Sequence, residues 1–228
     1  MTDWPSGFAM RLSRELIRRF RALEVANVSD ANRNLALGKV KSLSPHLVAR
    51  HRRDCQTRMI GQALTAACDG DDFHVMVRAL ASKPPPNTVL CVKTDGDGGC
   101  GGDLFTSECR RLEFGGLVVD GNVRDTANMR NLDFLKDFPV YSHGTNPVAG
   151  TNKAKGKLGE PLRVGPTHLR TEIRNGDIIF GDDDGAIVIS MQCEAEVETL
   201  LEEAEQIHEN EREILSRVAG GEPLLDCF

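Results

Sequence analysis

The chain has 228 residues, 40% of them hydrophobic and 27% charged, with a formal charge of −6. That length favours one substantial core over a string of small units, and the acidic balance argues against a nucleic-acid binder, which carries a basic surplus. No run approaches the ~20 apolar residues of a membrane span, and the opening MTDWPSGFAM lacks the basic and apolar regions of a secretory leader.

The seven cysteines, Cys55, Cys68, Cys91, Cys100, Cys109, Cys193 and Cys227, are odd in number and include no CxxC pair. They read as free thiols in a reducing compartment, so the expected location is the cytoplasm.

In chain order, residues 8–23 place Leu12, Leu16, Ile17, Phe20 and Leu23 at three- and four-residue spacing, which predicts an amphipathic helix with a basic outer face. Ser29-Asp30 is an expected helix cap. Residues 39–54 are polar around Pro45 and read as a loop or short irregular helix, with His46 and His51 as surface residues. Residues 59–66 predict a strand. Asp69-Gly70 is a turn. The helix after it has Phe73, Val77 and Leu80 on its apolar side and Asp71 or Asp72 as cap. Pro84-Pro85-Pro86 ends that helix, and Thr88–Val92 predicts a second buried strand.

The stretch DGDGGCGGDLFTSECRRLEF is glycine-rich and then helical, with Leu104, Cys109 and Leu112 as apolar positions. A glycine loop feeding a helix exposes free N–H groups that favour an anion such as a small carboxylate. It is neither a GxGxxG fingerprint nor a P-loop. Leu117-Val118-Val119 predicts a third buried strand, stopped by the turn residues Asp120-Gly121-Asn122. Arg124 and Asp125 follow at the strand's rim. Arginine offers a planar fork for carboxylate or keto oxygens, and aspartate offers hard oxygen to a divalent cation. As a dipeptide the pair also fits an ordinary surface salt bridge. The alternation of strands and helices predicts a sheet whose carboxyl ends hold the ligand.

Beyond residue 130, Phe138–Tyr141 is strand-like and HGTNPVAGTNKAKGKLGEP is a long polar loop carrying Lys153, Lys155 and Lys157. Short strands are expected at 161–164, 168–173, 177–180 and 186–190. Asn175-Gly176 is a hairpin signal, and Asp182-Asp183-Asp184-Gly185 reads as a hairpin turn, because EF-hand spacing is absent. Residues 193–218 predict a long acidic helix with Val197, Leu200, Leu201, Ala204, Ile207 and Leu215 on one stripe.

Four motifs in order, GGDL, GGLVVDGNVRD, FPVYSHGTNP and NGDIIFGDDDGAIVI, resemble the RraA-like family. That family includes class II pyruvate aldolases acting on 4-hydroxy-4-methyl-2-oxoglutarate and 4-carboxy-4-hydroxy-2-oxoadipate, and regulators of ribonuclease E activity. The resemblance covers roughly residues 25–225. It implies an α/β fold, a single swivelling-type β/β/α domain over 1–228 with its core at about 25–190, flanking N- and C-terminal helices, and a homotrimer or hexamer with active sites between subunits.

By that resemblance, Arg124 contacts the keto oxygen of pyruvate and Asp125 is the direct ligand of a divalent cation, Mg²⁺ or Mn²⁺. Asp103 reaches the metal through water. The backbone of Gly102, Leu104 and Phe105 holds the pyruvate carboxylate. A glutamate of the neighbouring subunit, best matched by Glu211 with Glu213 and Glu209 as alternatives, completes the outer shell. One departure stands out: the family's aldolases usually carry Glu or Asp where this chain has Asn128. The regulators typically lack the aspartate matched by Asp125. The implied activity is therefore metal-dependent cleavage of short 2-oxo acids to pyruvate, with oxaloacetate decarboxylation. The alternative is a non-catalytic regulator that binds a ribonuclease or RNA-degradation complex.

Overall fold

In the computed structural model the described residues are 10–50, 57–167, 170–191 and 193–227, so His51 and Cys55 lie outside them. The elements run α1 (Arg14–Arg21), α2 (Val25–Asn34), β1 (Val40–Ser42), β2 (Val48–Ala49), β3 (Met59–Ala67), α3 (His74–Ala81), β4 (Thr88–Lys93), α4 (Asp103–Arg111) and β5 (Gly116–Val123). They continue as α5 (Thr126–Asn131), β6 (Val140–Thr145), β7 (Lys157–Leu158), β8 (Leu162–Val164), β9 (Thr171–Ile173), β10 (Ile178–Asp182), β11 (Gly185–Ile189) and α6 (Glu194–Ala219).

Nine strands form one sheet in the order β1-β11-β10-β3-β4-β5-β6-β2, with β7 pairing β3. The four central strands β3, β4, β5 and β6 are mutually parallel, and the others add antiparallel. Parallel strands need both faces covered, and their side chains alternate accordingly. Ile60, Leu64, Leu90, Leu117 and Val119 face helices, whereas Met59, Ala63, Val89, Val118 and Tyr141 face the β8–β9 hairpin. The layers are therefore β/β/α. Helices α1, α2 and α6 share one part of the helical core, and α3, α4 and α5 lie over the other.

The six described cysteines form no disulfide. Burial pushes the Cys91 and Cys109 thiols up, which makes both inert packing residues.

Several sequence expectations change. The first helix is shorter and starts at Arg14, because the Ser13 hydroxyl caps it by accepting from the Leu16 N–H at 3.2 Å. Ser29-Asp30 does not start α2 but lies inside it. Glu24 and Asn27 form a reciprocal capping box one turn earlier, and that fixes the start. Residues 39–50 contain the short edge strands β1 and β2, recruited by β11 and β6. In α3 the fully buried residues are Val75, Met76 and Ala79, while Val77 is exposed. Asn175-Gly176 turns the chain between β9 and β10 without making a hairpin, since β9 pairs β8 and β10 pairs β3 and β11. The acidic turn at 182–185 does close one, with Asp182 opposite Gly185.

Candidate functional site

The site is built where β5 leaves the sheet. Asp120-Gly121-Asn122 does not stop this strand as expected. The ladder to β6 shifts register between Val119 and Asn122 and then resumes through Val123. Gly121 absorbs the irregularity at φ +157°, and a Cβ there would collide with the Thr94 side chain. The bulge carries the chain onward to Arg124 and Asp125.

Asp125 adopts a left-handed conformation, φ +58° and ψ +30°. An aspartate tolerates this region better than most residues, yet it stores strain. It stands at the N-cap of α5, but its carboxylate makes no capping bond. The backbone carbonyl accepts from Asn128 and Met129 instead. The side chain is thereby freed: Oδ2 accepts from Arg124 Nε at 3.0 Å, and Oδ1 has no partner among the described residues.

The glycine loop meets this pair from the other side. Arg124 N–H donates to the Gly101 carbonyl at 2.8 Å. A Cβ on Gly102 would collide with Asp125 Oδ2, so the carboxylate lies directly over the start of α4. Only glycine permits that approach. The loop is not an open anion cradle along its length, because its amides are largely committed. Gly99 donates to the Val148 carbonyl and Cys100 to the Asn122 carbonyl. Asn122 and Asn146 both donate from their side chains to the Asp97 carbonyl, at 2.9 and 2.7 Å.

What remains for a ligand is the first turn of α4. Gly102 is its N-cap and offers no side chain. The Leu104 N–H donates to the Asp103 carboxylate at 2.7 Å, while the Phe105 N–H has no partner among the described residues, as expected for a helix start. The Leu104 side chain, expected to pack inward, is 83% exposed, because Thr106 and Cys109 form the buried face. Asp103 Oδ2 accepts from Asn128 Nδ2 at 2.5 Å. Asn128 therefore joins the starts of α4 and α5, a role no local sequence signal announced.

Arg124, Asp125, Asp103, Gly102 and Phe105 thus meet at one rim of the sheet. Asp125 and Asp103 are hard oxygen donors of the kind that hold Mg²⁺ or Mn²⁺ together with water. Glu211 does not join them within one chain: its carboxylate accepts from Asn27 Nδ2 on α2 at 2.7 Å, and no three metal-ligating side chains cluster among the described residues. Glu209, Glu211 and Glu213 are all exposed on the outer half of α6. Lys155 and Lys157 pair with Asp69 and Glu160, both at 3.2 Å, rather than lining this site. No helix of the described residues is long and apolar enough to cross a membrane.

A family model described as RraA-like, Aldolase/RraA, matches residues 25–188. A protein of Halalkalibacterium halodurans with the provisional name 4-hydroxy-4-methyl-2-oxoglutarate aldolase is 28% identical over 176 residues, 77% of this chain and 76% of its own. The fold matches a crystal structure of an uncharacterized protein from Pseudomonas syringae pv. tomato with a TM-score of 0.77 at 21% identity, covering 96% of this chain and 98% of that one. It also matches the RNA-processing inhibitor RraA from Thermus thermophilis, with a TM-score of 0.60 at 21% identity, over 72% of this chain and 92% of that one.

Proposed function

Because this chain belongs to the RraA-like family, which holds both aldolases and ribonuclease inhibitors, we propose that it is the enzyme. The reaction is divalent-metal-dependent retro-aldol cleavage of 4-hydroxy-4-methyl-2-oxoglutarate-type 2-oxo acids to pyruvate, with oxaloacetate decarboxylation at the same site. One observation carries the reading. Asp125 is held in a strained backbone conformation that withholds its carboxylate from the helix cap and leaves Oδ1 unpartnered beside Arg124 and the start of α4. The aldolase-named relative points the same way.

The residues present fit a divalent cation, with Asp125 as direct ligand, Asp103 acting through water and Glu211 of a neighbouring copy in a homotrimer or hexamer. When bound, the cation supplies Lewis-acid stabilisation of negative charge. The chain's own groups divide the remaining tasks. The Phe105 N–H and the positive end of α4 bind the substrate's carboxylate. The Leu104 N–H joins them once Asp103 releases it. The Nη groups of Arg124 aim at the 2-keto oxygen, where charge develops as the carbon–carbon bond breaks. Asn128 fixes Asp103, which orders the water that receives the hydroxyl proton. No lysine takes part, so the reaction does not pass through a Schiff base.

The test couples pyruvate release from oxaloacetate to an indicator dehydrogenase, with Mg²⁺ or Mn²⁺ and with chelator. Release that chelator and Asp125→Ala both remove supports the enzyme. No release above the metal background from oxaloacetate or from 4-hydroxy-4-methyl-2-oxoglutarate sinks it and leaves a cytoplasmic, non-catalytic regulator.

A further inference from the structure

Two thiols meet beside the glycine loop. Cys68 follows the last residue of β3, and its N–H donates to the Lys93 carbonyl of β4 at 2.8 Å, continuing the β3–β4 ladder. Cys100 stands in the loop ahead of α4, between Gly99 and Gly101. Its Sγ is 3.8 Å from the Thr94 hydroxyl, just past β4, and 3.4 Å from the Asp71 carbonyl. Cys68 packs against the apolar cluster that contains Cys100, and its S–H donates to Cys100 Sγ. That bond holds the Cys100 thiol below its ordinary range. It pushes Cys68 up, with burial and the charges of Asp72 and Asp71 adding to the effect. The pair therefore keeps one sulfur nucleophilic while the other holds the shared proton.

Cys100 is buried, but Cys68 is only partly so, which opens the pair to a small oxidant. With hydrogen peroxide, the thiolate of the pair attacks one oxygen, the O–O bond breaks and hydroxide leaves, giving a sulfenic acid. The second sulfur then attacks the sulfenic sulfur, the S–S bond forms, the S–O bond breaks and hydroxide leaves. The two thiol protons turn both hydroxides into water, so two thiols and one peroxide give one disulfide and two waters. A disulfide bond is about 2.05 Å long, far shorter than a non-bonded sulfur contact, so the two segments must close up. Cys68 is held by the sheet, whereas Cys100 is flanked by glycines, so the movement falls on the loop. That loop supplies the Gly101 carbonyl that accepts from the Arg124 N–H at 2.8 Å, and it places Gly102 against the Asp125 carboxylate.

We infer that Cys68 and Cys100 are a peroxide-oxidised pair, whose reversible disulfide draws the glycine loop toward β3 and loosens its hold on Arg124 and Asp125. Transient disulfides of this kind are the usual form in a reducing compartment, where they act in redox sensing. The inference rests on the thiol contact and does not depend on the activity assigned to the rim.

In the experiment the reduced protein is exposed to a few equivalents of hydrogen peroxide, digested without reductant and mapped by mass spectrometry, with Cys68→Ser and Cys193→Ser proteins alongside. The expected product is a Cys68–Cys100 linked peptide that dithiothreitol removes. It forms in the wild type and in Cys193→Ser, and is absent from Cys68→Ser. Hydrogen exchange at the Arg124 amide is expected to quicken at least about tenfold in the oxidised protein, and to keep its reduced rate in peroxide-treated Cys68→Ser. Oxidation of either thiol to a sulfinic acid without the linked peptide, pairing of either with another cysteine, or no reaction at either overturns the inference. An Arg124 exchange rate that the disulfide leaves unchanged or slows also overturns it. Neither readout uses turnover, so failure of the aldolase reading leaves the result unaffected. The wild-type peptide map decides the linkage even if a variant does not fold.

Discussion

Asn128 Nδ2 donates to Asp103 Oδ2 at 2.5 Å, binding the first turn of α5 to the first turn of α4. The bond fixes a carboxylate beside the residue that carries the proposed metal ligand. Partners of this outer kind are worth about 10–100-fold in metal affinity or activity. Asn128→Ala should therefore lower kcat/KM for oxaloacetate by about that factor, while Asn128→Asp, which sets two carboxylates against each other, should move the activity profile to higher pH. Steady-state rates across pH check both, and an unchanged profile in Asn128→Asp would show that the bond does not shape the site.

Gly102 is required by packing rather than by dihedral angle. A methyl group there would displace Asp125 Oδ2. Gly102→Ala is expected to reduce turnover almost as far as Asp125→Ala does, with a stability loss of about 1–3 kcal/mol typical of overpacking. Turnover and a thermal melt on the same preparation separate the two effects.

The strain at Asp125 predicts opposed changes in stability and function. Asp125→Gly removes the left-handed penalty at φ +58° and gives up only a partly exposed ion pair worth about 0–1 kcal/mol. The expected result is an inactive protein that is equally stable or more stable, by up to ~1 kcal/mol and a few degrees in Tm. A clear drop in Tm would mean that the conformation is not strained.

The proposed intersubunit site predicts complementation. Among the described residues Glu211 bonds Asn27 of its own chain and no other, and the exposed half of α6 also carries the apolar Leu215, 67% exposed. Asp125→Ala and Glu211→Ala proteins should each be impaired, and subunit exchange between them should restore a measurable fraction of activity. No recovery after verified exchange would place both residues in one subunit's site or remove Glu211 from it.

His143 predicts a pH dependence of stability. Burial lowers its folded pKa against the pull of Asp120, with His46, Arg50 and Lys93 acting in the same direction as burial. The unfolded chain takes up its proton near pH 6.5, before the folded chain does. Stability should therefore fall as pH drops through 6.5 and stop falling below the folded pKa. Denaturant midpoints between pH 7.5 and 5 should show this slope, and His143→Gln should flatten it.

The sequence was enough for the buried strands at 59–66, 88–92 and 117–119, the glycine loop ahead of a helix, and the charged pair at a strand end, but not for β1, β2, β7 or α5. The former are set by local periodicity and turn chemistry, which act over a few residues. Tertiary structure alone decided how the pieces use their polar groups. Asp120-Gly121-Asn122 reads locally as a turn, but β6 supplies ladder partners that keep it in the sheet as a bulge. Ser29 reads as a cap, but Glu24 and Asn27 capture the helix start first. The pairs Asn128–Asp103 and His143–Asp120 join residues 25 and 23 positions apart. They exist only because parallel strands return each chain segment to the same rim, and no local pattern encodes which side chains will meet there.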